Sequence, residues 1–372
     1  MLDAADRHPH ARAVLRAAVP PEGVPSHAYL FHGPAGAGKR AVARAFAAEL
    51  LAEDAPDPDN ARRRVAEDVH PDLTWVRPSG AAEMLVGDID EPVVAAATRT
   101  PFEARRRVFV VEGADTMNEP AANKLLKTLE EPPPFAHLVL LTDKPGNILP
   151  TISSRCQLVR FEAATPAELS QRLQTKHGVP PLTADACARL GLGDADRALT
   201  LALADGPALR DAAERYARAA LHDRLGERPW IALLDQARAR GDAAASGVAG
   251  EIAADAELLP DREAKRARRE GETAAKRAHR RAHAATIDHG LQLAGLWLRD
   301  VACVKDGVPE LVHHVDRVEQ LQSDAEASEA SSGRLRDAVG LIEEARTMLI
   351  LNPSEELVLE ALASKVEHAL SR

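Results

Sequence analysis

The length, composition and charge of the chain narrow the classes of protein to which it can belong. Its 372 residues are about twice the length of a typical domain, so more than one domain is expected. Its net charge of −10 argues against a protein that binds nucleic acid through its overall charge, so any such contact would need a local basic patch. Three widely separated cysteines suit neither a disulfide framework nor a four-thiolate zinc site, and the chain has neither a signal-peptide pattern nor an apolar run of about 18 residues, so we expect a cytoplasmic protein without zinc or a membrane segment.

Strands and helices alternate over the first 163 residues. The predicted strands are the apolar runs at residues 27–33, 70–78, 106–115, 136–143 and 157–162, and the predicted helices cover residues 39–53, 88–102 and 119–132. The polar, Pro- and Asp-rich stretch at residues 53–64 is expected to be a surface connection. This alternation predicts an α/β domain at residues 1–163, with a parallel sheet covered by helices on both faces.

Helical patterns replace the strand patterns after these residues. Thr165 is a plausible N-cap and Glu168 occupies the capping-box position of the first of these helices. A Gly-Pro pair at residues 206–207 interrupts the pattern and favours a domain boundary. We therefore predict a small helical lid at residues 164–207 and an all-helical C-terminal domain at residues 208–372.

Residues 261–281 form a basic segment with nine Lys or Arg residues against four acidic residues. A run of this kind is most often a solvated helix face or a frayed linker. A nucleic-acid contact is the alternative, and the sequence alone does not decide between them.

The stretch FHGPAGAGKRAVARAF at residues 31–46 has the pattern of a phosphate-binding loop between a predicted strand and a predicted helix. Gly33, Gly36 and Gly38 would let backbone N–H groups approach phosphate oxygens, and Lys39 would reach the terminal phosphates. Arg40 stands where such loops carry the Ser or Thr hydroxyl that ligates Mg²⁺, and a guanidinium has only donors and a permanent positive charge. A chance glycine-rich turn is the alternative, but the strand-loop-helix context favours a nucleotide-binding fold.

The strand pattern VFVVEGAD provides a second test of the nucleotide site. Glu112 could help to hold magnesium, but Gly113 stands where a glutamate would orient the attacking water and has no side chain for that task. Arg40 and Gly113 therefore remove two catalytic groups independently, so both nucleotide motifs are degenerate. This combination predicts a retired ATPase, in which ATP binding without turnover stays open.

Four stretches, HAYLFHGPAGAGK, HPDL, RRRVFVVEGADTMNEPAANKLLKTLEEPP and SSRC, together resemble the clamp-loader branch of the AAA+ proteins. The spacing between AANKLLKTLEEPP and the Ser-Arg-Cys triplet is specific to that branch, whereas the phosphate-loop pattern alone is not. The resemblance implies a P-loop AAA+ domain, a helical lid and an all-helical collar that holds the assembly together. It is strong over residues 1–163 and weaker beyond them.

The resemblance also implies roles for single residues. Arg155, in SSRC, matches the arginine finger that reaches from one subunit into the ATP site of its neighbour, although an isolated exposed arginine is more often a surface residue. Thr142 matches the nucleotide-sensing position at the end of a strand, and Arg197 is a looser match to the sensing arginine of the lid. With the phosphate-loop residues and Glu112, these positions make up the predicted nucleotide and trans-acting sites.

The function implied by the resemblance is that of a non-hydrolysing clamp-loader subunit of bacterial DNA polymerase III. The expected partners are the motor (tau/gamma) and delta subunits, the sliding clamp and, through the assembled complex, primer-template DNA. No cofactor is expected to be required, and the four-cysteine zinc module of many relatives is missing from residues 40–69. An active tau/gamma-type ATPase is the alternative, and a small-molecule kinase with a phosphate-binding loop is a third, disfavoured by the all-helical remainder.

Overall fold

The chain forms two compact units in the computed structural model, Met1–Ala164 and Thr165–Arg372. The structure describes residues 5–20, 23–78, 83–203, 205–257, 260–349 and 354–371. The division between these units does not fall at residue 207, so the boundary predicted there between a lid and a C-terminal domain stays a prediction.

The first unit is built on one parallel sheet. Its described α-helices are α1 (Pro9–Arg16), α2 (Lys39–Ala52), α3 (Pro58–Ala66), α4 (Val86–Ile89), α5 (Glu119–Glu130) and α6 (Pro150–Ser153), and its strands are β1 (Ala28–His32), β2 (Leu73–Val76), β3 (Arg107–Glu112), β4 (Ala136–Thr142) and β5 (Gln157–Arg160). The strand order is β2-β3-β4-β1-β5, and every neighbouring pair is parallel. The segments that follow β1, β3 and β4 therefore begin at the same edge of the sheet.

Both faces of this sheet are buried. Tyr29 and Phe31 of β1 point to one face, where they pack against Phe46 of α2 with ring centroids 5.0 and 6.5 Å away. Leu30 of the same strand points to the opposite face, in the cluster that contains Leu125 of α5. Because successive strand residues alternate between the two faces, the continuous apolar runs are the signature of a sheet covered on both sides, as the sequence predicts.

Two segments of the first unit differ from the sequence prediction. The expected surface connection at residues 53–64 contains most of α3, because Asp57 accepts a hydrogen bond from Asn60 N at 3.0 Å as its N-cap and Val65 is buried. The helix expected at residues 88–102 is shorter: α4 continues as a π-helical turn at Asp90–Ala95.

The second unit is helical throughout its described residues. Its α-helices are α7 (Pro166–His177), α8 (Pro181–Leu190), α9 (Ala195–Ala202), α10 (Gly206–Leu221), α11 (Trp230–Glu257), α12 (Asp261–Lys305), α13 (Val318–Ala327), α14 (Ser332–Leu349) and α15 (Glu355–Ser371). The capping box of α7 is confirmed, since Thr165 Oγ1 accepts from Glu168 N at 3.3 Å and Glu168 Oε2 accepts from Thr165 N at 2.8 Å.

Helix α12 is the centre of the second unit and contacts α10, α11, α13 and α14. Trp297 of α12 is fully buried, and its Nε1 donates to Asp324 Oδ2 at 2.9 Å. The hydroxyl of Tyr216 in α10 donates to Leu359 O in α15 at 2.7 Å. These bonds satisfy polar atoms in an otherwise apolar core. Of the helices described, none combines the length and apolarity needed to cross a membrane.

Candidate nucleotide site and trans-acting arginine

The phosphate-loop pattern lies where β1 gives way to α2, at the carboxyl edge of the sheet. Gly33, Gly36 and Gly38 all have positive φ, at 148°, 66° and 87°. Glycine is also required at residue 33 for steric reasons, because a Cβ there would lie 2.3 Å from Phe161 O. The glycines are thus required by the backbone shape of the loop itself, whether or not a phosphate binds.

Lys39 is buried and directed back into the loop. Its Nζ donates to Gly33 O and Pro34 O, each at 2.6 Å, and lies 2.6 Å from Asp143 Oδ1. An ammonium has three donors, so this set uses all of them. A phosphate at this position must therefore compete with two carbonyl groups and a carboxylate for Lys39.

Arg40 forms an ion pair with Glu112, which connects the first residues of α2 to the end of β3. The second oxygen of Glu112 accepts from Trp75 Nε1 at 3.1 Å and from Arg77 Nε at 3.2 Å. The carboxylate that could have helped to hold magnesium therefore faces two guanidinium groups. A fixed positive charge takes the electrostatic place that a divalent cation would need.

Gly113 follows Glu112 in the left-handed region, with φ of 69°. A Cβ at this position would lie 3.2 Å from Pro78 Cγ. Side chains of L-amino acids rarely adopt such a backbone, so a glutamate here would be strained as well as crowded. At residue 113, therefore, the backbone conformation and the available space both disfavour a carboxylate side chain.

Thr142 is buried at the end of β4, where it pairs in register with His32 of β1. Its Oγ1 donates to Asp115 Oδ1 at 2.8 Å and accepts from Lys144 N at 3.0 Å. Burial lowers the pKa of His32, and the neighbouring His10, Arg160 and Lys39 lower it further. Thr142 is therefore held by these hydrogen bonds one strand away from the loop.

The structure adds residues to the site that the sequence patterns missed. His8 is buried against the loop, with Nε2 2.8 Å from Ala37 O, while its Nδ1 accepts from Glu162 N at 3.3 Å. A Cβ on Gly38 would lie 3.2 Å from a guanidinium nitrogen of Arg7. Neither residue belongs to a recognisable motif, so only the folded chain reveals that the segment before α1 packs on the loop.

Arg155 lies at the amino ends of the strands, whereas the phosphate loop lies at their carboxyl ends. It precedes β5, whose first residue, Gln157, pairs in register with Tyr29 near the start of β1. Since β1 and β5 are parallel, the length of a strand, about 16 Å, separates this end of the sheet from the loop. Arg155 is therefore remote from the nucleotide site of its own chain.

The Arg155 guanidinium is about one-third exposed and borders a cleft of about 510 Å³. It donates to Glu130 Oε1 at 2.8 Å and to Thr151 O at 2.9 Å. Both contacts are near the surface, where ion pairs contribute little stability. The arginine is thus held in place by interactions that a stronger anion could replace.

Arg197, the looser match to a sensing arginine, lies in the first turn of α9. Its NH1 donates to Gln292 Oε1 of α12 at 2.7 Å, and Asp194 Oδ1 caps the helix by accepting from Arg197 N at 3.1 Å. Its role in nucleotide sensing stays a prediction. Over the described ranges, no group of three or more His, Cys, Asp or Glu side chains is arranged to hold a metal ion.

Comparisons with known proteins agree with the motifs of the first unit. A family model described as "DNA polymerase III, delta subunit" matches residues 9–165. The DNA polymerase III subunit delta' of Pseudomonas aeruginosa is 37% identical over 179 residues, which cover 43% of this chain and 55% of that protein. The delta' subunit of Bacillus subtilis is 35% identical over 154 residues, covering 40% and 46%. The chain therefore spans about half the length of these relatives.

A tau subunit and a solved structure of a gamma-subunit-related protein also match. The DNA polymerase III subunit tau of B. subtilis is 33% identical over 150 residues, which cover 40% of this chain and 27% of that protein. A crystal structure of a gamma-subunit-related protein from Thermotoga maritima is 16% identical, with a TM-score of 0.43, over 98% of this chain and 100% of that one. In sequence, the similarity to DNA polymerase III subunits therefore covers less than half of this chain.

Proposed function

We propose that the chain is a delta-prime-like subunit of a bacterial DNA polymerase III clamp loader that does not itself hydrolyse ATP. In this role it helps to load the sliding clamp on primed DNA and contributes Arg155 to the ATP site of a neighbouring subunit. The observation that carries the proposal is the Arg40–Glu112 ion pair. It joins the two motif positions between which a hydrolysing site would hold its magnesium.

The loss of hydrolysis follows from charge and geometry. Phosphoryl transfer needs a cation between the phosphates and a group that orients the attacking water. Arg40 supplies no oxygen ligand, its guanidinium already neutralises Glu112, and Gly113 supplies no base. Lys39 and the loop glycines remain, so ATP binding without turnover is compatible with the proposal, although no cofactor is required.

The trans role of Arg155 rests on its position. A guanidinium stabilises charge on a transferring phosphate by bidentate contact, and it can do so from another chain. Arg155 is partly exposed and sits at the end of the sheet away from its own loop, and its partners among the described residues are the exposed Glu130 and the Thr151 carbonyl. A γ-phosphate of a neighbouring subunit would compete well with this pairing.

The remaining assignments follow from the family. The expected partners are the motor (tau/gamma) and delta subunits, with the sliding clamp and primer-template DNA reached through the complex. The helices of the second unit would form the collar that joins the subunits. A cytoplasmic location and the lack of a zinc module belong to the same proposal.

The alternative is an active motor of the tau/gamma type, which the B. subtilis tau relative at 33% identity favours. The two functions differ at Arg40 and Gly113, because a motor needs a metal-holding hydroxyl and a water-orienting carboxylate at these positions. ATP turnover by the purified chain separates them.

The test combines turnover with binding. We expect the isolated full-length chain to hydrolyse ATP at the background rate of the buffer, and any binding of labelled ATP to be the same with Mg²⁺ or with EDTA. Turnover well above background, or binding that requires Mg²⁺, would assign the chain to the motor class instead.

A further inference from the structure

Helices α11 and α12 form an antiparallel hairpin that carries the basic segment, residues 261–281. Glycines in α12 let the two helices approach closely: a Cβ on Gly271 would lie 2.8 Å from Ile252 Cγ2, and one on Gly290 would lie 2.7 Å from Leu233 Cδ2. These two contacts are about 28 Å apart along α12. The basic segment is therefore supported by a partner helix at Gly271, which makes a frayed linker a poor description of it.

Six described cations of this segment have exposed side chains. One of them is Arg281, and the other five are Lys265, Arg268, Arg269, Lys276 and Arg280. Among the side chains that the structure describes, none of these five makes an ion pair or a side-chain hydrogen bond. Arginines elsewhere in the chain are commonly paired, as Arg346 is with Asp288 at 2.8 Å in the same unit. In a chain with a net charge of −10, unpaired cations in one place are unexpected.

The five cations share one side of α12. At about 100° per residue they fall within an arc of about 120°, and Lys265 and Arg280 are about 22 Å apart along the axis. Glu272 lies inside this arc, is exposed and is the one acidic side chain described there. We call the five cations the α12 stripe.

We propose that the α12 stripe binds the phosphate backbone of double-stranded nucleic acid without regard to sequence. A duplex carries one negative charge per about 1.7 Å of axis, and 22 Å of helix spans about six base pairs. Residues 261–281 contain no Phe, Tyr or Trp, so the segment lacks the stacking platforms that single-strand binders use. The contact belongs to this chain's own hairpin and does not depend on its nucleotide site or on the proposed clamp-loader role.

The test measures duplex binding by the purified full-length chain. Fluorescence anisotropy reports the affinity across a salt series from about 50 to 200 mM. The stripe variant carries Lys265→Ala, Arg269→Ala, Lys276→Ala and Arg280→Ala. Each phosphate contact adds about 0.9 to the slope of log affinity against log salt, so the slope should fall by about 3 to 4. Affinity for the duplex at low salt should fall with it.

A matched control removes two Lys and two Arg side chains that are equally exposed elsewhere in the second unit. It carries Arg172→Ala, Lys176→Ala, Arg215→Ala and Lys365→Ala. We expect it to keep the salt slope of the parent chain. An equal loss of duplex affinity in both variants would mean that overall charge drives binding and would contradict the proposal. Failure of the parent chain to bind the duplex would also refute it.

A variant that strengthens binding guards against loss of folding as an explanation. Glu272→Lys places a cation within the α12 stripe, and it should tighten duplex binding and raise the slope by about 1. Unchanged or weaker binding would contradict the proposal. Duplex DNA and an RNA–DNA hybrid should bind alike if phosphates are recognised, whereas a marked preference for single strands would overturn the assignment to a duplex.

Discussion

At the scale of single residues, the unusual property of the nucleotide site is that its charged groups neutralise one another. Lys39 is bonded to two carbonyl oxygens and to Asp143, and Arg40 is paired with Glu112. Each pairing occupies a group that an active site would direct at phosphate or metal. This pairing agrees with the proposed role, in which the chain does not hydrolyse ATP itself.

Replacing Arg40 tests whether its positive charge is what keeps magnesium out. In Arg40→Thr the hydroxyl is restored and Glu112 loses one cation, so ATP should bind at least about tenfold more tightly with Mg²⁺ than with EDTA, a difference of about 1.4 kcal/mol. Turnover should remain at background, because Gly113 still supplies no base. The matched variant Arg44→Thr, on the same helix and paired with Asp68, should not create Mg²⁺ dependence. Titration calorimetry measures both variants, and an Arg40→Thr chain indifferent to Mg²⁺ would contradict this explanation.

His137 makes the stability of the first unit depend on pH. Burial lowers the pKa of this β4 residue from 6.5 to about 4, and its ring contacts Ser26 O and the Arg106 guanidinium. Below pH 6.5 the unfolded chain gains a proton that the folded chain does not, so stability is full above 6.5 and is lost as pH falls towards 4. The loss should reach about 3 kcal/mol.

Hydrogen exchange of the β4 amides, corrected for intrinsic rates, reports this pH dependence. His137→Gln should flatten it, whatever the variant does to stability at pH 7. The exposed His177→Gln, in the second unit, is the control and should behave as the parent chain does. A His137→Gln slope equal to that of the parent would assign the pH dependence to other groups.

At the scale of elements, the predictability of each segment follows from how much of its structure is determined locally. The strands were predicted within a few residues because a strand that is buried on both faces is a continuous apolar run, such as VFVV. Helix α3 was missed because only Ala61 and Val65 of its nine residues are buried, and its Asp57-Pro58 start resembles a turn. The packing of His8 on the phosphate loop joins residues far apart in sequence, which no local pattern encodes.

The phosphate loop itself can be tested as a structural element. Gly33→Ala should destabilise the first unit by about 1–3 kcal/mol, since φ is 148° and the new Cβ would lie 2.3 Å from Phe161 O. Gly146→Ala, with nothing within 4 Å of the built Cβ, is the control and should change stability by no more than about 0.5 kcal/mol. Thermal unfolding compares the two, and equal melting temperatures would mean that the loop is not needed for the shape of the sheet.

At the scale of the whole molecule, the two compact units suggest separate tasks. The first contains the nucleotide motifs and Arg155, and the second contains the helices proposed for the collar. Within the second unit the predicted lid is bonded to later segments, since Arg189 donates to Val312 O at 2.8 Å and Arg197 to Gln292 of α12. A cut at residue 206 would break these bonds, whereas a cut at residue 164 falls between the units.

Truncation tests this division of tasks. A chain ending at Ala164 should fold, with circular dichroism of an α/β protein and cooperative unfolding, but should not join the other clamp-loader subunits in gel filtration. A chain ending at Gly206 should also fail to assemble and should be less soluble, because its lid helices lose their partners. Entry of either fragment into the complex would refute the collar assignment.

The central claim is that this chain acts on a neighbour's ATP and not on its own. In a reconstituted complex, Arg155→Ala should abolish most turnover at the site that receives it, by about 10³-fold at that site, while the complex still assembles. Lys39→Met, in the chain's own loop, should leave turnover of the assembled complex unchanged, as should the exposed control Arg160→Ala. ATP turnover that survives Arg155→Ala but is lost in Lys39→Met would contradict the account and identify the chain as a motor.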